Sequence, residues 1–162
     1  MINDRISGLV WTFNSERSIV ACLDSLRFCE EIIVVDANSS DGTASLAKQR
    51  GAVVVIRDWM QACAEKMLVA DLAIHNWILA MDADECASAG LTSEIVRLRP
   101  YGLGQYAAYE MRVDREGCMH TSVHQLRLFD RRRARFCADT PELRVVSFGP
   151  VGTLRGHLAK RE

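Results

Sequence analysis

Residues 77–85 read WILAMDADE, an apolar run that ends in three carboxylates within four positions: Asp82, Asp84 and Glu85, with Ala83 between the first two. Like charges this close repel, so a chain that carries them neutralises them with a cation or holds them in water. Residues i and i+2 of an extended backbone point the same way, so Asp82 and Asp84 are predicted to address one ligand. Carboxylate oxygens suit Mg²⁺ or Mn²⁺, and Mg²⁺ commonly sits between one or two carboxylates and the phosphates of a substrate. Such an ion offsets negative charge on a departing diphosphate. The plainer alternative for these residues is a solvated acidic turn.

A second carboxylate stands in a similar place. Asp36 closes the run EIIVVD and is followed by small and helix-capping residues, Ser39, Ser40, Asp41, Gly42 and Thr43. At the end of a strand it can accept hydrogen bonds from a ribose or a base, with the free N–H groups of the next helix close by. Asp41 or Ser40 is expected to cap that helix, which accounts for one of these residues but not for Asp36. Thr12 and Asn14 follow a third apolar run.

Something must bring these polar ends together. Ile6 to Thr12 reads as a strand, and Ser15 to Phe28 as a helix with Ile19, Val20, Leu23 and Leu26 on one side. Glu31 to Asp36 is a β-branched strand buried on both faces. Thr43 to Arg50 is a short helix with Gly51 as its C′ residue. Ala52 to Arg57 is a third strand, Gln61 to Ile74 a helix, and Trp77 to Met81 a fourth strand. This alternation predicts an α/β fold, a mainly parallel sheet with helices on both faces and right-handed crossovers. Ligands of such sheets bind beyond the carboxyl ends of the strands, where Thr12, Asn14, Asp36, Asp82 and Asp84 fall. After Leu91 the rhythm changes. Thr92 to Arg99 reads as a helix stopped by Pro100, QYAAYEMRV and QLRLFD as strands, and DRRRARF as a basic turn into a short strand. Antiparallel additions at the sheet's edge fit that order. The stretch GLGQYA matches G-x-G-x-x-A but follows Pro100 and leads into a strand, the reverse of a dinucleotide-binding turn.

With 162 residues, 49% hydrophobic and 25% charged, the chain is expected to form a single domain over 1–162. No apolar run approaches the roughly 20 residues of a membrane helix, and no apolar segment follows Met1 to Arg5, so a cytoplasmic protein is expected. The six cysteines form no CxxC pair and read as packing thiols. Charge is uneven: residues 1–111 carry 9 basic and 15 acidic side chains, and residues 112–162 carry 11 and 6. The basic portion suggests an anionic contact, a phosphate group, a lipid surface or an acidic substrate, with a solvated arginine face as the alternative.

VWTFNSE (10–16), EEIIVVDANSSDGT (30–43) and WILAMDADE (77–85) occur in an order and at spacings that resemble the family 2 glycosyltransferases of GT-A fold. In particular the chain is similar to the branch that builds bacterial lipopolysaccharide core, as are LRLFDRRRARF and GPVGTLRG. The resemblance implies a GT-A fold, a nucleotide-sugar donor, Mg²⁺ or Mn²⁺, and inverting transfer to a hydroxyl of a glycan or lipid-linked acceptor. It implies that Thr12, Asn14 and Glu16 line the nucleotide pocket and that Asp36 holds the base or ribose. Lys66 would meet the donor's phosphate, Asp82 the ribose or a metal-bound water, and Asp84 the metal. An inverting transfer needs a base for the acceptor's proton. The branch carries a His-Glu pair where this chain has Pro141-Glu142, so Glu142 matches without its histidine, and Asp139 is a nearby substitute. The branch also continues past a His-Tyr-Ser element where this chain reads HLAKRE. The resemblance therefore implies a relative shortened at its C-terminus. It leaves as the alternative a non-catalytic nucleotide-sugar-binding or scaffold relative that has lost turnover. Peripheral contact of Arg131, Arg132, Arg133 and Arg135 with the inner membrane surface or a phosphorylated sugar is expected, and no nucleic-acid partner.

Overall fold

Runs of β-branched and aliphatic residues without a polar break can be buried on both faces, and Ile6–Thr12, most of Glu31–Asp36 and Trp77–Asp82 are, while the edge run Val53–Ile56 is partly exposed. A computed structural model describes residues 4–57, 69–115, 123–136 and 144–160. In it β1 (Ile6–Thr12), β2 (Glu31–Asp36), β3 (Val53–Ile56) and β4 (Trp77–Asp82) are parallel, in the spatial order β3-β2-β1-β4. Helices α1 (Ile19–Ser25) and α2 (Thr43–Gln49) make the crossovers, and Gly51 ends the second with φ +81°, as expected of a C′ glycine. Of the helix expected over Gln61 to Ile74, residues 69–72 are helical and 61–68 lie outside the described residues.

The second half of the sheet is mixed. β5 (Glu85–Ala87), β6 (Ala108–Arg115), β7 (Val123–Asp130) and β10 (Val151–Lys160) extend it to eight strands, in the order β3-β2-β1-β4-β7-β6-β10-β5. β7 lies antiparallel between β4 and β6, and β10 runs parallel to β6 and antiparallel to β5. β6 and β10 therefore end at the same edge as β1, β2 and β4. A separate hairpin of β8 (Ala134–Phe136) and β9 (Val145–Ser147) completes the described strands. Helix α3 (Ala89–Leu98) starts earlier than its apolar pattern suggests, because Ser88 caps it, accepting from Leu91 N–H at 3.1 Å. Pro100 does not stop the chain outright but sits in a 3₁₀ turn, Arg99–Tyr101.

Each face of the sheet has its own core. Ile6, Val10, Val34, Leu79 and Met81 pack with α1 and with Leu91 and Ile95 of α3. Leu9, Ile33, Val35, Ile78 and Ala80 pack with Val69 and Ala70 of the helical residues and with Phe129 and Phe136. Phe129 and Phe136 meet edge to face at 5.2 Å, and each buried side chain of this size contributes roughly 1.5–3 kcal/mol.

The docking of α3 on β10 fixes where β10 ends. The β6–β10 register slips between Thr153 and His157, and the N–H groups of Arg155 and Gly156 donate instead to Glu94 Oε2 at 2.9 and 3.0 Å. At Gly156 the helix backbone comes so near that an added Cβ would stand 2.2 Å from Leu91 Cα. Gly156→Ala is therefore expected to lower stability by about 1–3 kcal/mol or more, because backbone rather than a movable side chain blocks the methyl. Gly104→Ala, with nothing within 4 Å of the new carbon, is expected to be near neutral. Thermal unfolding of the two variants checks this, and equal melting temperatures would contradict it.

Candidate active site

Three neighbouring strands end side by side, with Thr12 level with Asp36 and Trp11 level with Asp82. β2 and β4 flank β1 on opposite sides, so the strand order reverses there, the position beyond the carboxyl ends at which open α/β sheets bind their ligands. The register also divides the residues that the sequence grouped. Thr12 and Asp36 continue the face packed on α1, while Asp82 belongs to the opposite face with Trp11.

On the β1–β2 side this position is bounded by two loops stitched together. Asn14 N–H donates to Ser39 Oγ at 2.8 Å, and Asn14 Oδ1 accepts from Ser40 N–H at 2.9 Å. Glu16 N–H donates to Asp41, and Glu16 Oε2 accepts from Gly42 N–H at 3.3 Å. Asn14 and Asn38 adopt left-handed backbone, φ +47° and +59°, which asparagine tolerates better than most residues. Asp36 is buried and takes the Ser39 N–H and hydroxyl, so its carboxylate closes the turn after β2. A carboxylate has about four acceptor sites, so this turn does not exhaust it. The expected cap of α2 is corrected: Gly42 holds the N-cap position, and Asp41 Oδ1 accepts from Thr43 N–H at 3.0 Å just beyond it. A Cβ at Gly42 would stand 2.8 Å from Glu16 Oε1, so a side chain there would displace that carboxylate.

On the β4 side the extended geometry expected of Asp82-Ala83-Asp84 is broken. Ala83 and Asp84 form the turn between β4 and β5, held by Ala83 N–H on Trp11 O at 2.9 Å. Asp84 Oδ2 meets Lys160 Nζ at 3.2 Å. Glu85 turns inward, fully buried, and accepts from Asp82 N–H at 2.9 Å and from Arg127 Nη2 at 2.9 Å. Arg127 is itself buried and reaches Gln125 Oε1 and the Ala80 carbonyl. Its place comes from a bulge: Tyr109 pairs with Leu128 and Glu110 with Leu126, leaving Arg127 as the extra residue of β7. Burial pushes the Glu85 carboxyl up, to about 7, with Arg127 opposing the rise and Asp82 adding to it.

Two buried side-chain oxygens lack a hydrogen-bond partner among the described residues: Thr12 Oγ1 and Asp84 Oδ1. Orphaned polar atoms are rare in folded chains and call for a missing partner. No group of three or more His, Cys, Asp or Glu side chains among the described residues is gathered to hold a metal. Mg²⁺ asks less, one or two carboxylates with water and substrate phosphates completing its shell. Asp84, with one oxygen open, and Asp82, half-exposed at the neighbouring strand end, fit that requirement.

Lys66, Asp139 and Glu142 lie outside the described residues. Of the basic turn, Arg131 caps the helical residues 69–72 through the carbonyls of Ala70 and Ala73, Arg132 pairs with Asp130 at 2.6 Å, and Arg133 binds the Gly104 and Tyr106 carbonyls. Arg135 stacks over the exposed Phe148 ring at 5.1 Å. Internal contacts therefore engage the cluster that the sequence assigns to an anionic partner. Arg127, Glu85 and Lys160 were missed as site residues. An arginine set between leucines in QLRLFD was the available signal for the first.

A parallel half-sheet of this order, with an acidic turn after its fourth strand and mixed strands beyond, is the GT-A fold. The crystal structure of S. aureus TarS shares it with a TM-score of 0.73 and 12% identity, over 97% of this chain and 60% of that one. The same protein solved with UDP-GlcNAc matches 72% of this chain and 36% of that one with a TM-score of 0.59 and 17% identity. The glycosyl transferase family 2 model matches residues 7–145, and the chain belongs to that family. An uncharacterized glycosyltransferase of Rickettsia felis is 31% identical over 128 residues, 78% of this chain and 44% of the relative. The lipopolysaccharide core biosynthesis glycosyltransferase LpsC of Rhizobium meliloti is 29% identical over 85 residues, 49% of this chain and 32% of LpsC. The chain thus spans under half the length of these curated relatives.

Arg127→Met leaves Glu85 buried without its counter-charge, and we expect a loss of about 3–5 kcal/mol at pH 8. Without the guanidinium the folded-state carboxyl rises further above its unfolded value. The protonated form then favours the fold, and the variant's stability falls as pH rises through the window above about 4.5. The loss should therefore shrink toward pH 5. Urea unfolding at both pH values, with a chelator present, checks this; a loss independent of pH would contradict the pairing.

Proposed function

We propose that this chain forms the donor site of an inverting glycosyltransferase. The enzyme would move a sugar from a nucleotide diphosphate to a hydroxyl of a glycan or lipopolysaccharide-core acceptor. The observation that carries the reading is that the strands bearing Asp36, Thr12 and Asp82 end side by side at the reversal of strand order, with oxygens of Thr12 and Asp84 unpartnered among the described residues. TarS, of the same fold, has been solved with UDP-GlcNAc, which supports a nucleotide-sugar ligand. The name of LpsC supports the acceptor class.

In this reading Asp36 and the stitched loops around Asn14 and Glu16 receive the nucleoside, Asp36 through acceptor capacity that Ser39 leaves free. Thr12, whose buried hydroxyl has no partner among the described residues, lies beside Asp36 at the same strand ends. Asp84 and Asp82 would hold Mg²⁺ or Mn²⁺, which supplies positive charge against the leaving diphosphate. Arg127 and Glu85 position rather than react: they fix Asp82's backbone and hence the direction of the acidic turn. Inversion requires in-line attack by a hydroxyl that gives up its proton, and Glu142 or Asp139 is the assigned base. No helix among the described residues is long and apolar enough to cross a membrane. We place the protein in the cytoplasm, with any membrane contact peripheral.

A ligand at about 100 times its Kd stabilises the folded form by about 2.7 kcal/mol, or about 5–10 °C for a chain of this size. We expect a shift of that order for one of UDP-, GDP-, ADP- or CMP-sugars with Mn²⁺, and little without the ion. Asp84→Ala should abolish the ion-dependent part and the slow hydrolysis of that donor. Binding without turnover across a panel of acceptors would favour the non-catalytic alternative. No shift with any donor would overturn the reading.

A further inference from the structure

The acidic turn already has a cation attached to the chain. Lys160 is the last residue of β10 and stands opposite Glu85 across the β5–β10 ladder. Its Nζ lies 3.2 Å from Asp84 Oδ2, and the two side chains are 30% and 38% exposed. The other oxygen of the same carboxylate is buried and has no partner among the described residues. One oxygen of this carboxylate thus meets a lysine, while the other is held away from water with no hydrogen bond from the described residues.

We propose that Lys160 is a mobile counter-cation of the donor site, competing with the divalent ion at Asp84 before the donor arrives and meeting the donor's diphosphate once it is bound. The proposal rests on the donor-site reading above. Three carboxylates, Asp82, Asp84 and Glu85, face two cations of the chain, Arg127 and Lys160. Arg127 is buried and tied to Glu85, Gln125 and the Ala80 carbonyl, so it cannot follow a ligand. Among the described residues Lys160 makes one ion pair, on a partly exposed, flexible four-carbon stem that carries a compact charge. A divalent ion on Asp84 is repelled by that ammonium a few ångströms away and must share its carboxylate. A diphosphate supplies new negative charge, to which the released ammonium can donate charge-assisted hydrogen bonds. Metal and donor then bind better together than apart, without any hinge or lid.

The two halves of this role predict effects of opposite sign, which a merely structural lysine would not give. Calorimetric titration of wild type, Lys160→Gln and Lys160→Arg, first with Mn²⁺ alone and then with UDP at saturating Mn²⁺, reads both. Lys160→Gln should bind Mn²⁺ alone about tenfold more tightly and UDP about tenfold more weakly, scaled for a pair that solvent partly screens. Lys160→Arg should stay near wild type in both. Weakening of both ligands, or no change in either, overturns the role of Lys160 while leaving the donor site standing. A wild type that takes up neither Mn²⁺ nor UDP overturns the donor-site reading and this inference with it.

Discussion

Everything at the carboxyl edge of this sheet depends on how the chain neutralises the carboxylates that follow Met81. Left to themselves, Asp82, Asp84 and Glu85 would splay the turn toward water. Burying Glu85 against Arg127 removes one of them from the competition and converts it into a backbone brace, because its second oxygen takes the Asp82 N–H. A buried ion pair of this kind adds little net stability, since desolvation offsets most of the attraction. Its value here is directional: it sets which way the remaining two carboxylates face.

That brace is possible because two irregularities in the sheet coincide. β7 pairs with β4 only as far as Leu79 and Leu128, so the Ala80 carbonyl lacks a ladder partner from that strand. The bulge at Arg127 then delivers a guanidinium to that carbonyl and to Glu85 together. On β10 the second irregularity, filled by Glu94, lets α3 press against Gly156 and sets the last residues of the strand, Lys160 among them. Regular strands supply the carboxyl edge, and the two bulges aim its charges.

The parallel half of this architecture was legible because local chemistry and burial agree there. β1 and β2 match their sequence reading residue for residue, since continuous apolar runs with polar ends can form little else. Asp36, Thr12 and Asp82 were legible as strand ends, but their division between the two faces depends on register, which only pairing reveals. The length of α3 turned on Ser88, a cap lying outside the apolar pattern. Arg127 and Lys160 were not legible as partners of the acidic turn, because they are 42 and 76 positions away from Glu85 and Asp84 and arrive through strand order alone. The carbonyl contacts of Arg131 and Arg133 were illegible for a related reason: exposed-looking arginines in sequence can find backbone carbonyls in space.

The two edges of the sheet show what distinguishes a site from a surface. At the amino edge of the parallel strands, charged groups are consumed by the fold. Arg99 is buried on the carbonyls of Asp4 and Phe28 and on Glu30, which in turn accepts from Ile6 N–H at 2.9 Å. Burial alone would push Asp130 up, yet hydrogen bonds from Arg132 hold it below the usual carboxylate range. At the carboxyl edge the accounting is left open: among the described residues Thr12 and Asp84 each keep a buried oxygen without a partner, and Lys160 makes one ion pair. Folding alone gives no reason to leave polar atoms unsatisfied at one end of a sheet whose other end satisfies them. Under the function proposed above, a ligand bearing its own positive and negative charges would complete that edge.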